Sequence, residues 1–580
     1  MMGYRLTRRP HLALIALSLW LIPCAAESVD ESAARKAGEA AVKSVIPRKI
    51  DYHKLKFSLV PFGVKVKEIT LSENERFANH PLRTWPFFAR AQDVSLTADL
   101  LPLFIGRISV NDLAIQHFQA NILVDKDYSL NIGDLLQQKR GPLMNWLRIK
   151  NFHATDGSIN IVDATAAQGA AKLSFDNIDA RFTGFAVKEK FNMDISLRTP
   201  QATQSNVSLR GMAGPLNSVK SNQMPIDGVL TVNDAPILPF LAYAPKNLTA
   251  YPVSGVASMK LQLKGNTWDG MSSQGGIQFE NMVLAAPDGK QRGKAFSMGL
   301  DIGHNVFSLK RNSLDINNMA MTIHGNKMTV NGVVRGIPKQ PVMDINLRAN
   351  GLEPTKMEEV YPFVRAYLPK NLSYSGTTNL NIDAQGDTNN LTATGLLDSS
   401  ALGVLLPEVF EKKQGSKLKV DFSAKLVPSQ FTIKASAKVQ GEDIKMLNAR
   451  LFKDGLRAVL ANRLTTKQLD NVFKTTEQLA ISTVEGVMNY ENNYIRLDNM
   501  QLKQLTDNQG IVADATVTGS LAVNSLLVRW DVNARLSKER SQQLVKIAPN
   551  LATLTDNEGR IPFAFKVEGY LDKELVVSLR

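Results

Sequence analysis

The sequence predicts a mostly β chain of antiparallel strands with a few short helices, and three observations carry that prediction. Apolar and polar residues alternate with period two over many segments, the pattern of strands with one oily and one wet face. A block without catalytic side chains recurs three times: Ala244-Pro245-Lys246-Asn247-Leu248, Leu368-Pro369-Lys370-Asn371-Leu372 and the looser Ala548-Pro549-Asn550-Leu551. Each copy sits between a short helically spaced stretch and a new alternating strand, so the unit reads as strand, brief helix, Pro turn, strand. Repetition of this kind marks an extended architecture whose units pack mainly on their neighbours. Third, helical spacing beyond Pro47 is confined to brief islands, the longest running from Thr465 to Ala480.

In chain order, Arg5, Arg8 and Arg9 precede an apolar run from Leu12 to Ile22 and then Pro23-Cys24-Ala25-Ala26. That is the order of an export signal, with cleavage expected after Ala26; an uncleaved anchor over residues 11–26 is the alternative, although the run is shorter than the ~20 residues of a usual spanning helix. Ser28 to Ile46 is rich in Ala, Glu and Lys and stops at Pro47, as a helical linker over 27–50 would. Alternation begins at Phe57, with Val64, Val66, Ile69 and Leu71 on one side, and the doublet Lys67-Glu68 breaks it as a bulge does. It recurs at Ile159-Asn160-Ile161, Leu173-Ser174-Phe175, Met193 to Leu197, Met328-Thr329-Val330 and Met343 to Leu347.

The clearest pair of strands is Leu418, Val420, Phe422, Ala424 and Leu426, then Pro428-Ser429-Gln430, then Phe431, Ile433, Ala435, Ala437 and Val439, with Lys, Asp, Ser and Thr between them. This hairpin has one apolar face. A few short helices cannot cover the apolar face of a sheet made from nearly all the remaining residues, and an uncovered face of that size needs a partner. Either the sheet folds on itself as a series of sandwiches, or it curls into a trough whose lining meets a ligand.

Composition narrows the chemistry. The only cysteine is Cys24, inside the signal, so the exported part has no disulfides, which suits a bacterial cell envelope. Pro23 argues against lipidation at Cys24. The net charge is +14, or +11 once Arg5, Arg8 and Arg9 are removed, and it is scattered singly along strands without the basic runs of a nucleic-acid binder. Seven scattered histidines form no HExxH; no GxSxG elbow is present; Gly289-Lys290-Gln291-Arg292-Gly293-Lys294 lacks the spacing and hydroxyl of a phosphate-binding loop; and Asp507 stands without a second carboxylate. No enzyme and no cofactor or metal is expected.

Segments at the two ends of the chain carry a resemblance to a known family. Phe57-Ser58-Leu59-Val60-Pro61-Phe62-Gly63-Val64-Lys65-Val66, followed by Ala98 to Val110 with Leu100-Leu101-Pro102-Leu103-Phe104 and by Leu130-Asn131-Ile132-Gly133-Asp134-Leu135, resembles the N-terminal region of the AsmA family; Gly559 to Gly569 looks like its closing strand pair. The resemblance implies a long twisted antiparallel sheet forming an extended apolar groove, related to bridge-like lipid-transfer proteins. It implies a periplasmic body held at the inner membrane and phospholipid movement toward the outer membrane. At ~4.8 Å per strand, on the order of 30 strands stacked in chain order give a sheet roughly 140 Å long.

The expected organisation is therefore a signal or anchor over 1–26, a helical linker over 27–50, an AsmA-like β region over 51–140, repeated groove units over 141–410, and C-terminal groove units over 411–580 with a helix near 465–480. The candidate groove lining is Leu418, Val420, Phe422, Leu426, Phe431, Ile433 and Val439. The expected partners are phospholipid, the inner and possibly the outer membrane, and envelope proteins at the ends, with no nucleic acid. The competing expectation is a periplasmic scaffold or assembly factor for outer-membrane proteins that holds no lipid.

Overall fold

The computed structural model describes residues 48–579 except 60, 100–107, 137–146, 216–222, 244–250, 287–290, 338–339, 363–364, 366–367, 388, 428–431, 475 and 572. The expected signal, the linker helix up to residue 47 and the first Pro-Lys-Asn-Leu block therefore lie outside the described residues. The chain is mostly β, as expected, and its strands belong to one open mixed sheet of 29 strands. It divides into two compact units, residues 1–246 with 256–275, and residues 247–255 with 276–580.

In the first unit the strands are β1 (Ile50–Asp51), β2 (Lys54–Leu59), β3 (Phe62–Leu71), β4 (Ala89–Asp99), β5 (Ile108–Val124) and β6 (Leu147–Asp163). They continue as β7 (Ala171–Ala186), β8 (Phe191–Arg198), β9 (Val207–Ala213), β10 (Ile226–Pro236) and β11 (Tyr251–Asn266), with the short helix α1 (Gly133–Leu136) after β5. From β2 onward the described neighbours in sequence pair antiparallel except β5 and β6, which are parallel, Ile115 facing Ala154; β1 pairs with β3, Ile50 facing Leu71. The all-antiparallel expectation fails there: β6 starts beside the start of β5, Ile108 facing Leu147, as a parallel neighbour does. Glu68 adopts φ 53°, yet Lys67 faces Asp93 and Ile69 faces Ala91, so the anticipated distortion turns the backbone without inserting a residue against β4.

β12 (Gly270–Ala285) leads to the strands of the second unit: β13 (Phe296–Ser308), β14 (Ser313–Ile323), β15 (Asn326–Arg335), β16 (Val342–Leu352), β17 (Ser373–Gly376), β18 (Thr378–Asp387), β19 (Leu391–Asp398), β20 (Leu402–Leu406) and β21 (Phe410–Lys412). Then come β22 (Leu418–Val427), β23 (Thr432–Met446), β24 (Leu479–Glu491), β25 (Tyr494–Asp507), β26 (Gly510–Ala522), β27 (Leu527–Leu536), β28 (Pro562–Tyr570) and β29 (Leu575–Leu579). Among the described residues four α-helices are interposed: α2 (Pro354–Val360), α3 (Arg450–Leu460), α4 (Thr466–Val472) and α5 (Lys538–Ile547). All four fall in connections along one edge of the sheet, between β16 and β18, β23 and β24, or β27 and β28. Among the described residues the opposite edge carries short turns, such as the one joining β24 to β25.

The repeat is legible in this topology. In each copy a strand ends in a short helix, and the next long strand returns antiparallel beside it: β10 with β11, β16 with β18, β27 with β28. The helical spacing read over Thr465 to Ala480 yields helix only to Val472, and Leu479 already opens β24. Thr465 starts α4 with a reciprocal capping box to Gln468, satisfying two otherwise orphaned N–H groups.

Within the second unit, α3, α4 and α5 close a dry core at the C-terminal strands. Phe452, Gly455, Leu456 and Leu460 form the buried stripe of α3, at helical spacing. The Phe452 ring meets Phe563 edge-on at 5.4 Å, and Gly455 lies so close to Phe565 that a β-carbon there would stand 2.5 Å from Cδ1. Val532, Ala534, Leu544, Leu551 and Val567 complete this cluster. The first unit has a smaller one around Phe191, Met193 and Ala213, extended by Phe182 and Phe185 whose rings lie 5.9 and 5.0 Å from Phe191.

Candidate functional site: an apolar face held in register

Directly opposed residues of paired strands share a face of the sheet, so register decides whether one strand's apolar stripe meets the next. In the first unit it does: Leu55, Val66, Val94, Ile115, Ala154, Ala180, Ile195, Leu209, Leu230 and Leu261 stand opposite one another in turn from β2 to β11. The parallel pair does not interrupt the row. In the second unit Met319, Val330, Leu347, Ile382, Gly395, Phe422, Ala437, Met488, Leu497, Gly519, Trp530, Val567 and Val577 do the same from β14 to β29. Not one charged or hydrogen-bonding aliphatic side chain enters either row.

The reverse face is polar. Asp421, Ser423 and Lys425 alternate with the apolar positions of β22 and are exposed. Lys434 pairs with Glu491 at 2.6 Å and Lys438 with Glu485 at 3.3 Å across β23 and β24. Each exposed pair is worth only ~0–1 kcal/mol, so they solvate this face more than they hold it.

The two strands of the hairpin read from the sequence pair antiparallel as β22 and β23. Val420 faces Val439, Leu426 faces Ile433 and Leu418 faces Gly441, while Leu397, Gly395 and Leu391 of β19 face Val420, Phe422 and Leu426. Leu418, Val420, Phe422, Leu426, Ile433 and Val439 thus share one face; Phe431 lies outside the described residues. Most of these side chains are half-buried, Val439 is 7% exposed and Ile433 41%. They belong to neither buried cluster. Away from α3 to α5, this face is shielded mainly by its own neighbours.

Glycines let the rows close up. Gly519 has φ +135° and its missing β-carbon would fall 2.1 Å from the Arg529 carbonyl oxygen; Gly332, at φ +144°, stands in the same relation to Asp344. A side chain at either position would strain the backbone and push the next strand away. Gly519→Val is therefore expected to destabilise the second unit by about 1–3 kcal/mol in urea unfolding. Gly276→Ala, whose β-carbon has its nearest neighbour at 3.8 Å, should leave the midpoint unchanged.

The polar residues singled out from the sequence are structural or dispersed. Asp507 is not solitary: its carboxylate accepts two hydrogen bonds from the Arg540 guanidinium, at 2.7 and 2.6 Å, and the two side chains are 0% and 3% exposed. The sequence signal is absent because the partner lies on α5, far along the chain. His80 and His324 face Asp125 and Glu359 on separate parts of the fold, and His117 and His153 face Asp156 and Asp112 across the β5–β6 pair, all at 3.3–3.4 Å. Among the described residues no group of three His, Cys, Asp or Glu is placed to hold a metal ion. No described helix is long and apolar enough to cross a membrane. No family model, curated protein or solved structure matches the chain.

Proposed function

We propose that the apolar face takes up the acyl tails of phospholipid, and that the chain is an AsmA-like protein of the bacterial envelope conducting lipid between inner and outer membrane. The observation that carries this reading is the unbroken apolar row in each unit. A surface that accepts a methylene at one strand offers the same environment at the next, which is what a sliding tail needs. Each CH₂ kept from water saves ~0.8 kcal/mol, so a tail gains by lying on the rows but has no strong preference among positions along them. The protein supplies a path, and direction comes from partners or from consumption at the receiving membrane. On this reading the body is periplasmic, either released after cleavage near Ala26 or held by residues 11–26.

The test is extraction of the purified protein followed by lipid mass spectrometry. Co-purifying phospholipid in at least stoichiometric amount is the expected outcome. A protein that folds, complements a deletion strain and carries no lipid would instead be the scaffold or assembly factor for outer-membrane proteins.

A further inference from the structure

The reverse, polar face of the second unit holds a cavity of about 960 Å³ over strands β13 to β16. Thr322 faces Lys327 and Thr329 faces Arg348, whereas Met321 and Met328, between them in sequence, face each other on the apolar side. Lys327 and Arg348 line the cavity, and neither makes an ion pair or side-chain hydrogen bond to a described residue. Nearby cations are committed: Lys294 and His324 share Glu359, at 3.3 and 3.4 Å, and Arg311 holds Asp315 at 3.0 Å. The one carboxylate in the lining, Asp301, faces Ala320, which faces Thr329, so two strands separate it from β16 and Arg348. The segment ending Arg292-Gly293-Lys294, basic but without phosphate-loop spacing, runs straight into the cavity wall at Ala295 and Phe296.

Thr329 faces Arg348 on the adjoining strand and Lys327 stands two residues before Thr329 on the same face, which makes Lys327 and Arg348 diagonal neighbours ~7–8 Å apart. That separation lets a guanidinium fork and an ammonium reach oxygens of one tetrahedral anion, with the hydroxyls of Thr322 and Thr329 beside them. A phosphate monoester carries about −1.5 to −2 charges at pH 7, matching two unpaired cations, and the cavity is far larger than a bare phosphate. We propose that this cavity binds a phosphate ester, its phosphate between Lys327 and Arg348 and its organic part in the remaining volume. The site stands on the face opposite the apolar row of the second unit and does not depend on lipid occupying it.

Binding of glycerol 3-phosphate to the full chain by isothermal titration calorimetry, and of phosphatidic acid in phosphatidylcholine vesicles by co-sedimentation, tests it and separates a free ester from a lipid headgroup. One-to-one binding is expected, weakened at least tenfold in Arg348→Gln and in Lys327→Gln, weakened by salt, and tightened severalfold in Asp301→Asn. Both cations are exposed, so the variants should keep the parent circular dichroism spectrum. Binding only of the soluble ester identifies a small phosphorylated ligand, and binding only of the vesicles identifies a headgroup. Absence of binding in both arms, or binding that the two glutamine variants leave unchanged, overturns the proposal.

Discussion

Replacing Val420 and Ile433 together with Asp should leave the protein folded by circular dichroism while stripping it of co-purifying phospholipid and of complementing activity. A charge at the centre of a transmembrane helix costs ~2.5–3.5 kcal/mol, and an acyl tail lying on this face would meet a comparable penalty twice. Buried in a sandwich core, the same carboxylates would unfold the domain. Here Val420 is half-buried, Ile433 is 41% exposed, and neither belongs to a buried cluster, so a carboxylate can reach water when no tail is present. Lys419→Ser and Lys434→Ser act on the polar face, where they break the exposed pairs with Asp398 and Glu491 at a cost of ~0–1 kcal/mol each, and should spare lipid content. A folded double mutant that keeps its lipid and its activity would remove this face from the pathway.

The second large effect is expected at Asp507. Its carboxylate and the Arg540 guanidinium are both sealed beneath α5, and Arg540 also donates to the Val472 carbonyl at 3.0 Å and to Gln509 at 3.1 Å. Thr476 donates to the same carboxylate. The pair therefore ties the turn between β25 and β26 to α4 and α5, over the core that Leu456, Leu544 and Phe563 fill. Asp507→Ala leaves a buried guanidinium without its counter-charge and should cost about 3–5 kcal/mol in the urea unfolding of the second unit. Changing both partners, Asp507→Leu with Arg540→Met, should recover most of that loss, because the desolvation of two ions disappears with them. A loss below ~1 kcal/mol for Asp507→Ala would show that water reaches the site and that the pair is not what fastens the helices.

Strands were readable because their signal is local. Met193 to Leu197 or Leu418 to Leu426 announces two faces without reference to any other segment, and these strands form in the expected alternation. Helix α3 was not readable: its N-cap is Ala449, which offers no side-chain acceptor, and Gly455 interrupts its interior. Gly455 makes sense only beside the Phe565 ring, a contact made across more than a hundred residues. Leu479 and Ala480 continued the helical spacing of α4 by coincidence, since an apolar residue at the start of a buried strand satisfies either period. The parallel pairing of β5 with β6 left no trace because each strand alternates as it would beside an antiparallel neighbour. The alternation of the apolar hairpin is legible in the sequence, but the continuity of the rows across each unit is a property of register, which no single strand carries.

Those rows impose a parity rule on the chain. Adding or deleting one residue within a strand such as β18 would exchange its two faces, bringing Asn381 and Asp383 into line with Leu347 and Gly395 and cutting the row at that point. Insertions at the helix-bearing edge or in the short turns of the opposite edge leave every strand's faces unchanged, and so does the addition of a whole hairpin. Change in the length of this sheet is thus restricted to steps that conserve parity, and its edges are where sequence can vary most freely.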